Sequence, residues 1–255
     1  MVRPDYNQLN PVSEYISENH YQIGNPDLLP SRSYTLTWSN TIFRMVNLSV
    51  WADFTDRLFS TIIRDAGNGI TESIPLNAFD YRGIGHSLSI SYHFFNYKLY
   101  GNVATYYTYG KYRNPREGFV FPEGRSEREY FSVDASVGYS ITDRLRISLR
   151  GSYVGKNTDI QSDSEANFYA NAFVTYTFLK NKRLSVSLDG MDIFNSGWKN
   201  RTTSYFDGNV RFSKFTSSNT QQIGIRVYYT FRGGKDMRRQ VTRDVNEEDK
   251  RFSEQ

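Results

Sequence analysis

From Val46 onward the chain alternates apolar and polar positions. Leu48, Val50, Ala52 and Phe54 fall on one side, and Asn47, Ser49, Trp51 and Asp53 on the other. Such a period of two is the signature of a β-strand with one greasy face. The same pattern recurs along the chain. Leu88, Ile90, Tyr92 and Phe94 oppose Ser87, Ser89, Ser91 and His93. Phe131, Val133, Ala135, Val137 and Tyr139 oppose Ser132, Asp134, Ser136 and Gly138. Further strands are predicted around Leu99–Tyr107, Leu145–Leu149, Phe168–Tyr176, Leu184–Leu188 and Ile223–Phe231, with a weaker one at Tyr34–Trp38. The charged residues within these segments share the polar face: Asp53, Asp134, Arg146, Arg150, Asp189 and Arg226. The apolar face runs for roughly the 9–11 residues a tilted strand needs to cross a bilayer.

A soluble β-sandwich would alternate as well. The connections discriminate better. Short turns fall near 39–43, 94–98, 140–145 and 179–183, and long loops near 64–81, 110–128, 155–165 and 195–220. A transmembrane β-barrel has short periplasmic turns and long extracellular loops. Aromatic residues mark the same two boundaries. Phe43, Phe94, Phe95, Tyr97, Tyr139, Phe178, Tyr229 and Phe231 cluster at the short-turn end, and Tyr107, Tyr109, Tyr153 and Phe168 at the other. They read as two girdles at the lipid–water interfaces, with cross-strand aromatic pairing as the plainer reading. The expected architecture is all-β: an antiparallel, up-and-down transmembrane barrel, incomplete, with about nine to ten strands. Nine strands starting outside and finishing inside is an odd count, whereas single-chain bacterial barrels have an even one. The chain is therefore expected to be the C-terminal part of a larger barrel. The stretch 202–215 is expected to be a hairpin in the last long loop. Residues 1–231 form the barrel part, and the charged residues 232–255 a flexible periplasmic tail.

Composition changes this picture little. The mean hydropathy of −0.62 excludes spanning helices, since no run approaches the ~20 apolar residues they need, but leaves barrel strands open. The 20 tyrosines and 18 phenylalanines suit strands and interfaces. A net charge of +4 is spread among 27 acidic residues rather than gathered in one patch, which argues against nucleic acid. The absence of cysteine excludes disulfides and thiolate metal sites. Met1–Asp5 is not a signal peptide. The expectation is that either the chain is soluble or an export signal lies upstream.

Near the start stand Arg3-Pro4-Asp5-Tyr6-Asn7-Gln8-Leu9-Asn10-Pro11 and Gly24-Asn25-Pro26-Asp27-Leu28-Leu29-Pro30-Ser31. Near the end, Leu184–Leu188 is followed by Met191-Asp192-Ile193-Phe194-Asn195, and the last strand ends on Phe231. In order and spacing these stretches resemble the barrel of TonB-dependent receptors and the related outer-membrane β-barrel family common in Bacteroidetes. Ser31 stands where that family usually has Glu. The resemblance marks Gly24, Asn25, Pro26, Leu28, Pro30, Asp192, Phe194, Asn195 and Phe231 as family positions. It implies a barrel of about 22 strands plugged by an N-terminal domain. The implied partners are outer-membrane lipid, the missing N-terminal barrel and plug segments, the barrel-assembly machinery and a surface lipoprotein.

No catalytic constellation stands out, and no cofactor is implied. His20, His86 and His93 lack partners at metal-ligand spacing. Asp159, Asp163 and Glu165 form a carboxylate-bearing loop that is a weak candidate for Ca²⁺, without EF-hand spacing. Gly83-Ile84-Gly85 lacks the third glycine of a dinucleotide loop. Glu127 and Glu129 are candidates for paired glycosidase acids, with solvated charge as the plainer reading. Asn47 and Asn200 fit a glycosylation acceptor pattern that carries no weight in a bacterial barrel. The polar-face charges are expected to pair within the lumen or to meet a plug or passing substrate. Tyr109, Tyr112, Phe119, Phe121 and Trp198 are candidates for stacking on a ligand. Three functional readings follow: a receptor and transporter barrel; a non-transporting adhesin or structural scaffold; and a soluble β-rich hydrolase.

Overall fold

The structure, a computed structural model, describes residues 1–116, 118–122, 125–197, 201–207 and 210–231. Trp198, Asn200 and the stretch 232–255 lie outside them. One short helix, α1 (Tyr6–Leu9), is held by a capping box in which Asp5 and Gln8 bond each other's backbone N–H. The strands are β1 (Glu14–Ser17), β2 (His20–Gln22), β3 (Arg32–Ile42), β4 (Val46–Gly67), β5 (Ile70–Phe94), β6 (Leu99–Arg113), β7 (Glu127–Ser140), β8 (Leu145–Val154), β9 (Asn157–Thr158), β10 (Ser162–Ser164), β11 (Asn167–Phe178), β12 (Leu184–Met191), β13 (Arg201–Asp207), β14 (Val210–Thr216) and β15 (Gln222–Tyr229).

Nine of these are long: β3 to β8, β11, β12 and β15. They pair antiparallel in chain order, from β3–β4 to β12–β15, as an up-and-down meander. The sheet is not closed. Among the described residues β3 pairs only with β4, and β15 only with β12.

The faces fall as the alternation predicts. Leu36, Trp38, Val50, Phe54, Ile84, Ile90, Val103, Val137, Leu149, Val174, Leu188, Ile225 and Val227 are all exposed. In water so large a greasy surface would collapse; here it is the face turned to hydrocarbon. The opposite face carries a ladder of cross-strand hydroxyl and amide bonds: Ser33–Thr55 at 3.0 Å, Ser39–Ser49 at 2.8 Å, Thr41–Asn47 at 2.9 Å and Thr175–Ser187 at 3.2 Å. Such pairs tie neighbouring strands together on the polar face.

Three boundaries differ from the sequence expectation. The weak strand at 34–38 is a full edge strand, Arg32–Ile42. The expected loop 64–81 is mostly strand: β4 and β5 continue beyond the membrane and turn at Asn68-Gly69, both at positive φ. The carboxylate loop 155–165 contains the short strands β9 and β10. The stretch 201–216 is the expected hairpin, β13 with β14, leaning on β10 rather than joining the nine-strand meander.

The buried apolar core lies outside the membrane-spanning part. Ile62, Ala78, Phe79, Tyr81, Tyr112 and Ile160 form it, with Leu58, Leu76, Phe119 and Phe121 against them. The register shift around Arg57, which has φ +53°, is a bulge that re-aims the upper part of β4 and β5 over the mouth of the sheet. Tyr81 lies flat across Gly83 and Gly110, where an added Cβ would overlap its ring.

Candidate functional site

The outer mouth is where side chains from distant parts of the chain converge. The segment 24–31 crosses the β4–β5 extension and is fastened to it by hydrogen bonds. Asn25 Nδ2 donates to Pro75 O (3.2 Å), and its Oδ1 accepts from Asp27 N (3.0 Å). Leu29 N donates to Asn77 Oδ1 (2.7 Å), while Asn77 Nδ2 donates to the Leu29 and Arg57 carbonyls, both at 2.9 Å. Ser31 Oγ donates to Arg57 O (2.7 Å) and accepts from Phe59 N (3.2 Å). Leu28 is buried and Pro30 lines a polar cleft. Gly24 sits where a Cβ would overlap backbone atoms of Asn10 and Asn7. Pro26 contributes a chain direction compatible with this crossing.

That cleft, of about 240 Å³, is lined by Pro30, Arg32, Asp56, Arg57, Asp80 and Arg116. Asp80 anchors it. Its carboxylate accepts from Arg57 N (2.9 Å), Asn114 Nδ2 (2.7 Å) and both terminal nitrogens of Arg116 (2.7 and 3.0 Å). Burial disfavours its charge, but the bonds from Arg116, Asn114 and Arg57 outweigh that and hold its pKa at about 2. Asp80 thus fixes both the bulge and the start of the loop after β6.

A second staple closes the last long loop. Asp192 is buried and accepts from Ser196 N (3.0 Å), Gly197 N (2.9 Å) and the Thr220 hydroxyl. Burial pulls its pKa upward, yet the bonds from Thr220, Gly197 and Ser196 carry it below the usual carboxylate range. Its own N–H donates to Asn171 Oδ1 (2.8 Å). Asn195 N donates back to Asp192 O (2.7 Å), and both residues take positive φ. Phe194 stacks on Phe168 with centroids 6.2 Å apart. The loop therefore leaves and re-enters the sheet at one point, whatever lies between.

The carboxylates of the 155–165 loop are engaged with donors on neighbouring strands and loops. Tyr112 donates to Asp159 (2.5 Å), Arg125 grips Asp163 (2.5 Å), and Glu165 accepts from Thr202 N (3.1 Å). Among the described residues no group of three acidic, His or Cys side chains is arranged to hold a metal ion. His20 contacts the hydroxyls of Thr71 and Ser73, His86 lies beside Tyr107, and His93 beside Tyr97 and Tyr100.

Of the aromatic residues considered for ligand stacking, Tyr112 is buried in the core, and Phe119 and Phe121 pack on Phe79. They build the mouth instead of presenting open faces. Tyr109 lies on the outward strand face, under the Lys111 ammonium. Glu127 pairs with Lys111 (2.8 Å) and Glu129 accepts from Tyr107 (3.2 Å), both from strand β7 rather than from a loop.

The charges on the polar face of the sheet are less concentrated. Arg226 pairs with Asp189 across β12–β15, Thr35 donates to Asp53 (2.7 Å), and Arg146 sits over the Tyr100 ring at 5.8 Å. Asp134 lines a shallow recess with Asn47, Ser49 and Ser87. Arg150 stands level with Ser136 and Asn171 on the neighbouring strands. Phe231 follows β15 and is exposed at the inner boundary.

A family model described as "Outer membrane protein beta-barrel family" matches residues 1–231. The chain belongs to that family. Membership in the outer membrane protein beta-barrel family places it in the bacterial outer membrane and accounts for an apolar surface turned outward. No curated protein and no solved structure matches it. Sequence reasoning marked the family positions without their roles. Asn77 and Asp80, which tie the Gly24–Ser31 segment and the bulge together, it missed altogether. The signal was present only as polar residues in a stretch expected to be a long loop.

Proposed function

We propose that this barrel segment is the closing part of a receptor that imports a nutrient across the outer membrane, driven by the TonB complex. The observation that carries the reading is that, among the described residues, the edge strands β3 and β15 each lack a second strand partner. Unsatisfied backbone groups in hydrocarbon cost several kcal/mol each, so the sheet belongs to a larger closed barrel. Large barrels are wide enough to hold a plug and pass a solute. The folded mouth supports the same reading. Loops fastened by Asp80, Asp192 and the Arg125–Asp163 pair form a firm rim on which a ligand can be held while a plug moves.

In this proposal the lumenal face, with Asp53, Asp134, Arg146, Arg150, Asp189 and Arg226, meets the plug or the passing solute. The remaining strands and the plug come from the rest of the receptor. The barrel-assembly machinery engages the end at Phe231, and a surface lipoprotein covers the mouth.

The test is uptake by cells carrying the full-length protein or its deletion. A panel of labelled oligosaccharides and metal chelates is assayed with TonB present, with TonB deleted and with an uncoupler. The expected result is one solute whose uptake is lost in all three impaired conditions. Unchanged uptake of every solute, with loss of surface attachment, would replace transport by an adhesin or scaffold role.

A further inference from the structure

The four short turns carry a charge pattern that neither the fold nor transport requires. They comprise residues 43–45, 95–98, 141–144 and 179–183. Within them stand Arg44, Lys98, Arg144, Lys180, Lys182 and Arg183 against a single carboxylate, Asp143. That is a surplus of five positive charges, while the whole chain has a net charge of +4. The remainder of the molecule is therefore slightly acidic, and the basic character sits on one rim. None of these six cations enters an ion pair among the described residues, unlike the outer-end cations Arg64, Arg82, Lys111, Arg116 and Arg125.

Each turn also exposes an apolar or aromatic side chain next to its cation: Phe43 (85% exposed), Phe95 with Tyr97 (76% exposed), Ile141, and Leu179. A docking site for an acidic soluble protein has no need of a greasy residue in every turn. A lipid interface does: rings and aliphatic chains sink to the headgroup level while Lys and Arg reach the phosphates. Within these turns Phe43, Arg44, Phe95, Asn96, Tyr97 and Lys182 are at positive φ.

We infer that the short-turn rim is a binding surface for anionic phospholipid headgroups of the inner leaflet. This rests on the short turns facing the periplasm, and is independent of what the barrel transports.

The full-length protein is purified in detergent, equilibrated with mixed phosphatidylglycerol and phosphatidylcholine, and its retained lipid quantified by native mass spectrometry. Two variants are compared: Arg44→Asn with Lys98→Gln, and Lys180→Gln with Lys182→Asn and Arg183→Gln. Asn is used where φ is positive. The wild type is expected to retain phosphatidylglycerol preferentially. Each lost cation is expected to lower that preference roughly fivefold, and salt to weaken it. Equal retention of the two lipids would overturn the inference, as would an undiminished preference in variants that keep the heat-modifiable folded band. Complete displacement by soluble glycerophosphate would overturn it too, since the site would then be for free phosphate. The orientation is checked separately with Asn96→Cys and an impermeant maleimide. Labelling only after outer-membrane permeabilisation is expected; labelling of intact cells would refute the orientation itself.

Discussion

Val50→Arg tests the assignment of faces most directly. Val50 is the middle residue of Val46–Phe54 on β4, 42% exposed, with Trp38 and His86 beside it on β3 and β5. At ~3.3 Å per residue and a tilt of ~45°, it lies about 9 Å along the membrane normal from either end of that stretch. An arginine there is near the bilayer midplane and costs about 2–4 kcal/mol. The neighbouring Ser49 faces the lumen, where its hydroxyl bonds Ser39 (2.8 Å) and lines the polar recess with Asn47 and Asp134. Ser49→Arg forfeits one neutral hydrogen bond, about 1 kcal/mol, and keeps its charge among polar groups. The assay is urea unfolding of the full-length protein in lipid vesicles, read by tryptophan fluorescence and gel mobility. The difference between the two variants should be at least ~1 kcal/mol in favour of Ser49→Arg, from the same magnitudes. Equal costs, or a dearer lumenal substitution, would refute the outward placement of the apolar rows.

Asp192→Asn replaces a charged acceptor of four hydrogen bonds, from Ser196 N and Oγ, Gly197 N and Thr220 Oγ1, by a neutral amide. It should cost about 1–3 kcal/mol locally and speed hydrogen exchange at Ser196 and Gly197 while leaving β11 and β12 protected. Because the folded-state pKa of Asp80 is depressed to about 2 from 3.8, its contribution is full above pH ~4 and is lost as the pH falls toward 2. Acid-dependent exchange at Arg57 and Arg116 should follow that window in the wild type and lose it in Asp80→Asn. Gly24→Ala drives a methyl into the backbone of Asn7 and Asn10, so limited proteolysis should cut residues 5–30 faster without altering barrel mobility on gels.

How far the fold was legible follows from where the period of two holds. In the membrane a strand has only hydrocarbon on one side and polar lumen on the other, so alternation survives undisturbed from Leu88 to Phe94 or from Phe131 to Tyr139. It fails beyond Thr55. The bulge at Arg57 shifts the register, and above it β4 and β5 bury residues from both neighbours and folded-in loops. Ile62, Phe79 and Ile160, close in space and far apart in sequence, carry no periodic trace of their contact. For the same reason Phe119 and Phe121 looked like free loop aromatics. The staples at Asp80 and Asp192 were opaque too, because a carboxylate that fastens a loop and one that is merely solvated are spelled alike.

The directions of the two open strands carry an arithmetic of their own. β3 and β15 both travel from the outer end toward the inner one. Two copies of this sheet laid edge to edge would meet along a parallel seam, against the antiparallel pairing of every neighbour in the meander. An antiparallel completion must begin and end with an outward-going strand. Its strand count is then odd, and the finished ring even.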